Sequence, residues 1–362
     1  MAVDDSSNIP PFPAHVPTAP LLRISLSKLL AADPTEVDRL WTASCNLGFF
    51  YLDLSTPPSV AINGGALLSD ASALFSLASS LFALPTLEKA KYDMAAEGSY
   101  FGYKGYGAGI IDAAGTPDRN EFYNVSKDDI LGLSLPLRAP DLLTPHRPLF
   151  TSFIHAAHSL TLLVLDILNM KLQLPPGTLT TLHALDKPSG DQVRMIKAPP
   201  QPPQDQRTVL GAHTDFGSVT VLFNRVGGLQ VQLPEGVKAE GEETEDGWAY
   251  VRPLPEHAVI NLGDALVKFS AGVLRSNIHR VVSPPGEQAG VTRYSVVYFS
   301  RPGDEVVLRP LKESPVVRGR VGDGEEEEEV SSKEWVLRRA LGRRGVGRWE
   351  DSKGTEGERV KA

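Results

Sequence analysis

Three observations predict an α+β protein with a β-rich core. Before about residue 185 the apolar residues recur at helical spacing, seven short β-type runs crowd the stretch from Gln192 to Phe299, and those runs stand too close together to alternate with helices. Parallel pairing needs a crossover of about a dozen residues or more, so the runs must pair antiparallel, with a barrel or jelly roll as the natural closure.

The elements follow in order. Residues 1–20 form an acidic, proline-rich arm that lacks the basic start and apolar stretch of a secretory signal. Leu22–Leu26 is a short strand candidate, Thr35–Leu47 is a helix by the spacing of Val37, Leu40 and Leu47, and Gly48–Leu52 is an aromatic-rich strand. A second helix is expected over Ala66–Phe82, before Pro85. Tyr100–Gly109 (YFGYKGYGAG) reads as a loop whose rings face a cavity or cover a core edge. Helix returns over Pro148–Gln173. Within it Ser159–Leu174 is the longest apolar segment, and Asp166, Asn169 and Lys171 mark it as a core helix, too polar and too short to span a bilayer.

Residues 21–185 are thus expected to form a helical N-terminal region and residues 186–310 the β-rich core. The core's strand candidates are Val193–Ile196, Val219–Phe223, Leu229–Leu233, Tyr250–Val251, Ala258–Asn261, Ile278–Val282 and Arg293–Phe299. Ala239–Gly247, acidic and glycine-bearing, suits a solvated hairpin loop. Residues 311–362 form a charged tail, in which five glutamates, Glu325–Glu329, repel one another into a linker and Lys333–Arg348 is a basic helix expected to lie in solvent.

With 362 residues, 41% of them hydrophobic, the chain can fill one sizeable core. A net charge of -8 provides no basic face for nucleic acid, which leaves a small molecule as the expected partner; membrane contact is not expected and the oligomeric state is not readable. The lone Cys45 excludes an internal disulfide and any multi-cysteine metal site, so a cytoplasmic location is expected.

The chemistry concentrates in His213-Thr-Asp215. Residues two apart on a strand share a face about 6.5 Å apart, so an imidazole and a carboxylate can converge on one ion. Alone the pattern is weak, because a strand histidine is more often a core or surface residue. His279, 64 residues on (279 minus 215), offers a third ligand from another strand. Two histidines and a carboxylate form the facial triad of non-haem iron(II) oxygenases, which leaves three coordination positions open. Downstream, Arg293 and Ser295 alternate on an apolar strand, and a buried arginine there needs an anion such as the distal carboxylate of a 2-oxo diacid. Other histidines carry no such support: His155 and His158 sit on a helix without a nearby carboxylate, while His15, His146, His183 and His257 flank prolines or loops and are expected to be exposed. No Gly-x-Ser-x-Gly elbow or glycine-rich nucleotide loop occurs.

These residues resemble the isopenicillin N synthase-like branch of the 2-oxoglutarate- and iron(II)-dependent dioxygenases. The likeness runs from about Leu22 to Pro310 through Gly48-Phe49-Phe50-Tyr51, His213-Thr-Asp215, Gly227-Gly228-Leu229-Gln230-Val231, Asn261-Leu-Gly263-Asp264, Ser276-Asn-Ile-His279-Arg280-Val281-Val282 and Arg293-Tyr-Ser295, with an echo at Lys333-Glu334-Trp335-Val336. It implies a double-stranded β-helix, or jelly roll, behind a helical N-terminal region. It implies His213, Asp215 and His279 as ligands of Fe(II), Arg293 and Ser295 as the binding pair for 2-oxoglutarate, and O2 as the oxidant. In the strand that ends at Pro199-Pro200, where relatives carry an Asn or Tyr beside the co-substrate, this chain has Lys197-Ala198.

The expected activity is that of a dioxygenase that hydroxylates or desaturates a small, largely apolar metabolite, releasing succinate and CO2. The alternative is an iron oxidase of the same fold that takes no oxo acid, with Arg293 and Ser295 binding the substrate's own carboxylate. Candidates for the substrate pocket are Tyr103, Lys104, Tyr106, Phe122, Lys197 and Phe299. Phe216, next to a ligand, is also a candidate for the pocket wall, but on a regular strand it points away from the ligand face, so packing is its expected role.

Overall fold

The computed structural model describes residues 9–55, 62–244, 246–321, 329–346, 348–352 and 354–355. Its strands are β1 (Arg23–Ser25), β2 (Phe49–Asp53), β3 (Gly102–Lys104), β4 (Glu121–Ser126), β5 (Gln192–Ala198), β6 (Leu210–His213), β7 (Val219–Asn224), β8 (Leu229–Gln232), β9 (Trp248–Tyr250), β10 (His257–Leu262), β11 (His279–Val281) and β12 (Arg293–Ser300). The larger sheet has the order β1-β2-β10-β7-β12-β5-β4-β3 and the smaller β6-β11-β8-β9. Neighbouring strands pair antiparallel except β1 with β2. The two sheets are the walls of a jelly roll, and a cavity lined by residues from both lies between them.

Strand alternation sorts the side chains of β12 into two sets. Arg293, Ser295, Val297 and Phe299 face the cavity, whereas Val296 and Tyr298 are fully buried in the core behind the sheet. That core is made with two long helices. In Arg147–Lys171, Phe150, Phe153, Ile154, Ala157, Leu160 and Val164 form a buried stripe at helical spacing, and Gly64–Phe82 supplies Leu67, Ala71, Leu74, Ala78 and Leu81. Each large side chain so buried contributes roughly 1.5–3 kcal/mol. The helix starts are capped as the sequence requires: Asn63 accepts from the Ala66 N–H at 3.0 Å, and Asp33, before Pro34, accepts from the Glu36 N–H at 3.0 Å. Gly48, at φ +66°, turns the helix Pro34–Asn46 into β2; any side chain there would overlap the Arg275 carbonyl.

Several expectations need correction. The glycine-rich segment Tyr100–Gly109 is not all loop, since β3 lies within it. Of its three tyrosines only Tyr103 lies in β3, which pairs with β4 at the edge of the larger sheet. His183 is buried rather than exposed, with Nδ1 2.6 Å from the Leu179 carbonyl and Nε2 2.6 Å from Ser218 Oγ. His158 does have a carboxylate nearby, Asp191 Oδ2 at 3.7 Å; Tyr298 on β12 lies 3.2 Å from His158 Nδ1 and donates to the same Asp191 oxygen at 2.6 Å. The run Asp141–Lys171, like Gly64–Phe82, is long and apolar enough to cross a membrane by length and composition; the apolar stripes of both lie in the core. The described part of the proline-rich arm lies against the smaller sheet, where Thr18 exchanges backbone hydrogen bonds with Glu240 at 2.9 and 2.8 Å. Ala239–Gly247 connects β8 to β9 with Gly241, Glu242, Glu243 and Asp246 exposed. Of the five-glutamate run, Glu325–Glu328 lie outside the described residues.

Candidate active site

The three ligand candidates meet at one end of the smaller sheet. β6 and β11 pair so that His213 stands directly opposite His279, with ring centroids 4.2 Å apart. The strand ends at His213, so Asp215 does not share a regular strand face with it. Instead the Asp215 carbonyl accepts from the Asp264 N–H at 2.9 Å, a bend that brings its side chain back to the histidines. Asp215 Oδ1 lies 4.0 Å from His213 Nε2 and 3.9 Å from His279 Nε2, and one atom from each residue falls within 4.8 Å of the other two. A single ion can touch all three.

Neighbouring groups fix which atoms point inward. His213 Nδ1 is 2.8 Å from the Gly211 carbonyl and His279 Nδ1 3.0 Å from the Asn277 carbonyl. A carbonyl only accepts, so each Nδ1 carries the hydrogen and each Nε2 keeps its lone pair for a metal. Asp215 Oδ2 accepts from Thr220 Oγ1 and Asn261 Nδ2, both at 2.6 Å, which leaves Oδ1 facing the histidines. Burial, reinforced by His279 and Arg343, holds His213 well below its ordinary pKa against the pull of Asp215. For Asp215 burial acts upward, but His279, His213 and the two hydrogen bonds together hold its carboxyl below the usual range. The donor set is therefore two imidazoles, each presenting Nε2, and a carboxylate, which suits iron(II).

Arg293 and Ser295 share the cavity with the triad. The Arg293 Nε donates to the Gly227 carbonyl at 2.8 Å and Nη1 to Ser295 Oγ at 2.6 Å. No carboxylate pairs with it among the described residues. Burial pushes its pKa down to about 10, which leaves it charged at neutral pH. A buried cation held only by neutral acceptors is a site for an anion.

Of the pocket candidates, Lys104, Phe122 and Phe299 line the cavity; Tyr103, Tyr106 and Lys197 do not. Strand alternation accounts for two of the three. Tyr103 faces away from Lys104, donating its hydroxyl to Glu121 Oε2 at 2.6 Å, and Lys197 pairs with the same carboxylate at 3.3 Å. Lys197 therefore does not replace the polar group that relatives place at Ala198, which itself is buried opposite Arg293. Tyr106 is 52% exposed. Lys104 forms an ion pair with Asp118 and donates to Asn120 at 3.1 Å; burial pushes its amine down to about 8 against the pull of Asp118. Phe216 lines the cavity, contrary to expectation, because the chain has left the strand before reaching it.

The basic helix of the tail is not in solvent. Ser332–Arg343 starts with a capping box between Ser331 and Glu334 and packs over the cavity. Trp335 Nε1 donates to the Phe216 carbonyl at 3.1 Å, and Arg339, fully buried, forms an ion pair with Asp264 and covers the Phe216 ring at 4.3 Å. Asp264 also accepts from Thr214, between the two ligands, at 3.0 Å. Ala340, Arg343 and Arg344 complete the cavity wall. Apart from Phe216, none of these residues, nor Arg194, Arg301, Thr220 and Asn261, was assigned a role in the site from the sequence, although Thr214, Asn261, Asp264 and Trp335 stand within the motifs that carry the family resemblance. Arg194 carried a local signal as well, its alternation with Ile196 on β5.

Comparison with known proteins agrees with this geometry. Residues 189–302 match the family model of the 2OG-Fe(II) oxygenase superfamily, and residues 19–144 match the N-terminal model of a non-haem dioxygenase in morphine synthesis. A 2-oxoglutarate-dependent dioxygenase of Aspergillus fumigatus is 35% identical over 332 residues, covering 87% of this chain and 85% of the relative. Another, from a Dothideomycetidae species, is 31% identical over 88% of this chain and 89% of its own length. Among solved structures, a full-length Neurospora crassa protein in complex with alpha-KG superposes with a TM-score of 0.70 at 22% identity, covering 88% of this chain and 95% of that one. A 2OG-Fe(II) oxygenase family protein from Caulobacter crescentus superposes with a TM-score of 0.69 at 24% identity, covering 89% and 98%.

Proposed function

The chain belongs to the 2-oxoglutarate- and iron(II)-dependent dioxygenases, and on that premise we propose that His213, Asp215 and His279 hold the iron while Arg293 and Ser295 hold the distal carboxylate of 2-oxoglutarate. The enzyme is an oxidoreductase that uses Fe(II), 2-oxoglutarate and O2 and acts on small molecules. The observation that carries the residue assignment is the presence, in one cavity, of a three-ligand cluster and a buried guanidinium without a carboxylate partner.

Bound iron(II), with the oxo acid and O2, would supply the oxidising chemistry, one oxygen atom of O2 ending in succinate as CO2 leaves and the other serving to oxidise a C–H bond of the substrate. This chain's residues bind, orient and exclude water. Thr220 and Asn261 fix the free oxygen of Asp215, Gly211 and Asn277 fix the imidazole tautomers, and Arg293 orients the oxo acid through its two-pronged donor face. Phe49, Phe216, Leu222 and Phe299 keep the cavity dry around the target carbon, with the helix Ser332–Arg343 closing one side. Hydroxylation or desaturation is the outcome this arrangement suits. The alternative without an oxo acid is not favoured, since the curated relatives are named for 2-oxoglutarate dependence.

The test is anaerobic titration of the iron(II) protein with 2-oxoglutarate. A metal-to-ligand charge-transfer band is expected for the unmodified protein and its loss for His213→Ala. Oxygen consumption indifferent to 2-oxoglutarate would return the alternative. A cytoplasmic location is part of the proposal, supported by the lone Cys45, whose thiol burial pushes up to about 11 and so keeps unreactive. Recovery of the protein in a membrane or secreted fraction would refute it.

A further inference from the structure

A second guanidinium faces the same cavity without a carboxylate partner. Arg194, on β5, donates from Nε to Asn124 Oδ1 at 2.7 Å, and its guanidinium lies 4.2 Å from the Phe122 ring centroid and 5.0 Å from that of Phe299. Its two Nη groups have no hydrogen-bond or ion-pair partner among the described residues. Like charge gathers around it: Arg301 shares the Phe299 ring at 5.8 Å, and Arg343 and Arg344 stand on the facing helix end. The carboxylates that line the cavity are committed elsewhere, Asp118 to Lys104 and Asp215 to the metal triad. Burial pushes Arg194 down to about 9, aided by Arg301 and opposed by Asp215, so it remains charged and lies within the field of the metal triad.

This position is separate from the oxo-acid anchor. Arg194 pairs across the sheet with Val297, four residues along β12 from Arg293, a displacement of about 13 Å. A five-carbon diacid spans only about two residues of extended chain, so the molecule held by Arg293 does not also satisfy Arg194. Beside these charged groups, much of the wall is apolar, including Phe49, Ile110, Leu222 and Val297. An oriented donor pair between two aromatic faces, inside a cavity whose lining is apolar in the larger part, selects an anion attached to an apolar body.

Resting on the iron and 2-oxoglutarate assignment above, we propose that the substrate is a carboxylic acid with an apolar body whose carboxylate is held by the Nη groups of Arg194 between Phe122 and Phe299. Arg194 is then a specificity-determining residue that sets which carbon lies nearest the metal.

The full-length iron(II) protein, anaerobic and saturated with 2-oxoglutarate so that Arg293 is occupied, is screened by thermal shift against aromatic and alicyclic monocarboxylic acids, each beside its primary amide. Hits are measured by calorimetry. At least one acid binds ten times or more tighter than its amide. Arg194→Gln lowers that acid's affinity at least tenfold, with the amide and the 2-oxoglutarate charge-transfer band unaffected, and Arg194→Lys, which keeps the charge and the fold, retains a reduced preference for the acid. The proposal is overturned if no acid outbinds its amide, or if a folded Arg194 variant without charge keeps the full preference. Failure of the metal assignment itself appears separately, as absence of the charge-transfer band in the unmodified protein.

Discussion

Asp215 Oδ2 is held by Thr220 and Asn261, so the oxygen left for the metal is chosen by residues outside the ligand set. Partners of this kind typically govern metal affinity about 10–100-fold. Asn261→Ala and Thr220→Val should each weaken iron(II) binding to that extent in an anaerobic titration; unaltered affinity would mean that the backbone bend alone orients the carboxylate. Arg293 offers a complementary measurement. Arg293→Lys retains charge but loses the planar donor fork, so the 2-oxoglutarate dissociation constant should rise by about tenfold or more with iron affinity unchanged. Ser295→Ala removes the charge-assisted hydrogen bond that Arg293 Nη1 donates to Ser295 Oγ, about 1.5–3 kcal/mol, and should raise it by about tenfold or more. The ligand trio and this pair were legible because each is an uncommon residue in a strand-like, apolar setting. Thr220 was not, because a threonine in a strand carries no pattern that separates it from ordinary polar residues, and Asn261 stood in a motif of the resemblance without an assigned role.

At the scale of elements, the terminal helix Ser332–Arg343 departs most from its sequence reading. Its basic residues suggested a solvated face, yet Trp335 and Arg339 are buried against Phe216 and Asp264. Removing one partner of a buried ion pair costs about 3–5 kcal/mol. Arg339→Met should therefore release the helix locally, read as faster amide hydrogen exchange over Ser332–Arg343 while β12 stays protected; equal loss in both would mean that the helix is part of the global folding unit. A charged residue's burial depends on a partner 75 positions away, here Asp264, and no local pattern reveals it. β6 teaches the same lesson on a smaller scale. It ends at His213, so the alternation rule placed Phe216 on the wrong side, whereas along the regular β12 the rule correctly sent Arg293 and Ser295 inward.

For the molecule as a whole, His183 ties stability to pH. It lies buried between Leu179 and Ser218, and burial pushes its pKa from 6.5 down to about 4. Between those values the unfolded chain binds a proton that the folded chain refuses, so stability is complete above pH 6.5 and declines as the pH falls towards 4. The melting temperature should drop across that window and His183→Gln should flatten the decline; parallel profiles would assign the effect to other groups. The sequence by itself determined the α+β class, the order of the long helices and of most strands, though not β3 or β4, the metal ligands proposed here and the arginine expected to anchor the oxo acid. These follow from periodicity and from residue chemistry that is unusual in its local setting. Only the tertiary structure decided that Arg194 lies between Phe122 and Phe299, that the tail helix walls the cavity, and that Tyr103 and Lys197 face away from it. Each of these depends on which distant segments share a sheet or a core. A local pattern fixes the face a side chain takes, while the fold alone fixes what that face meets.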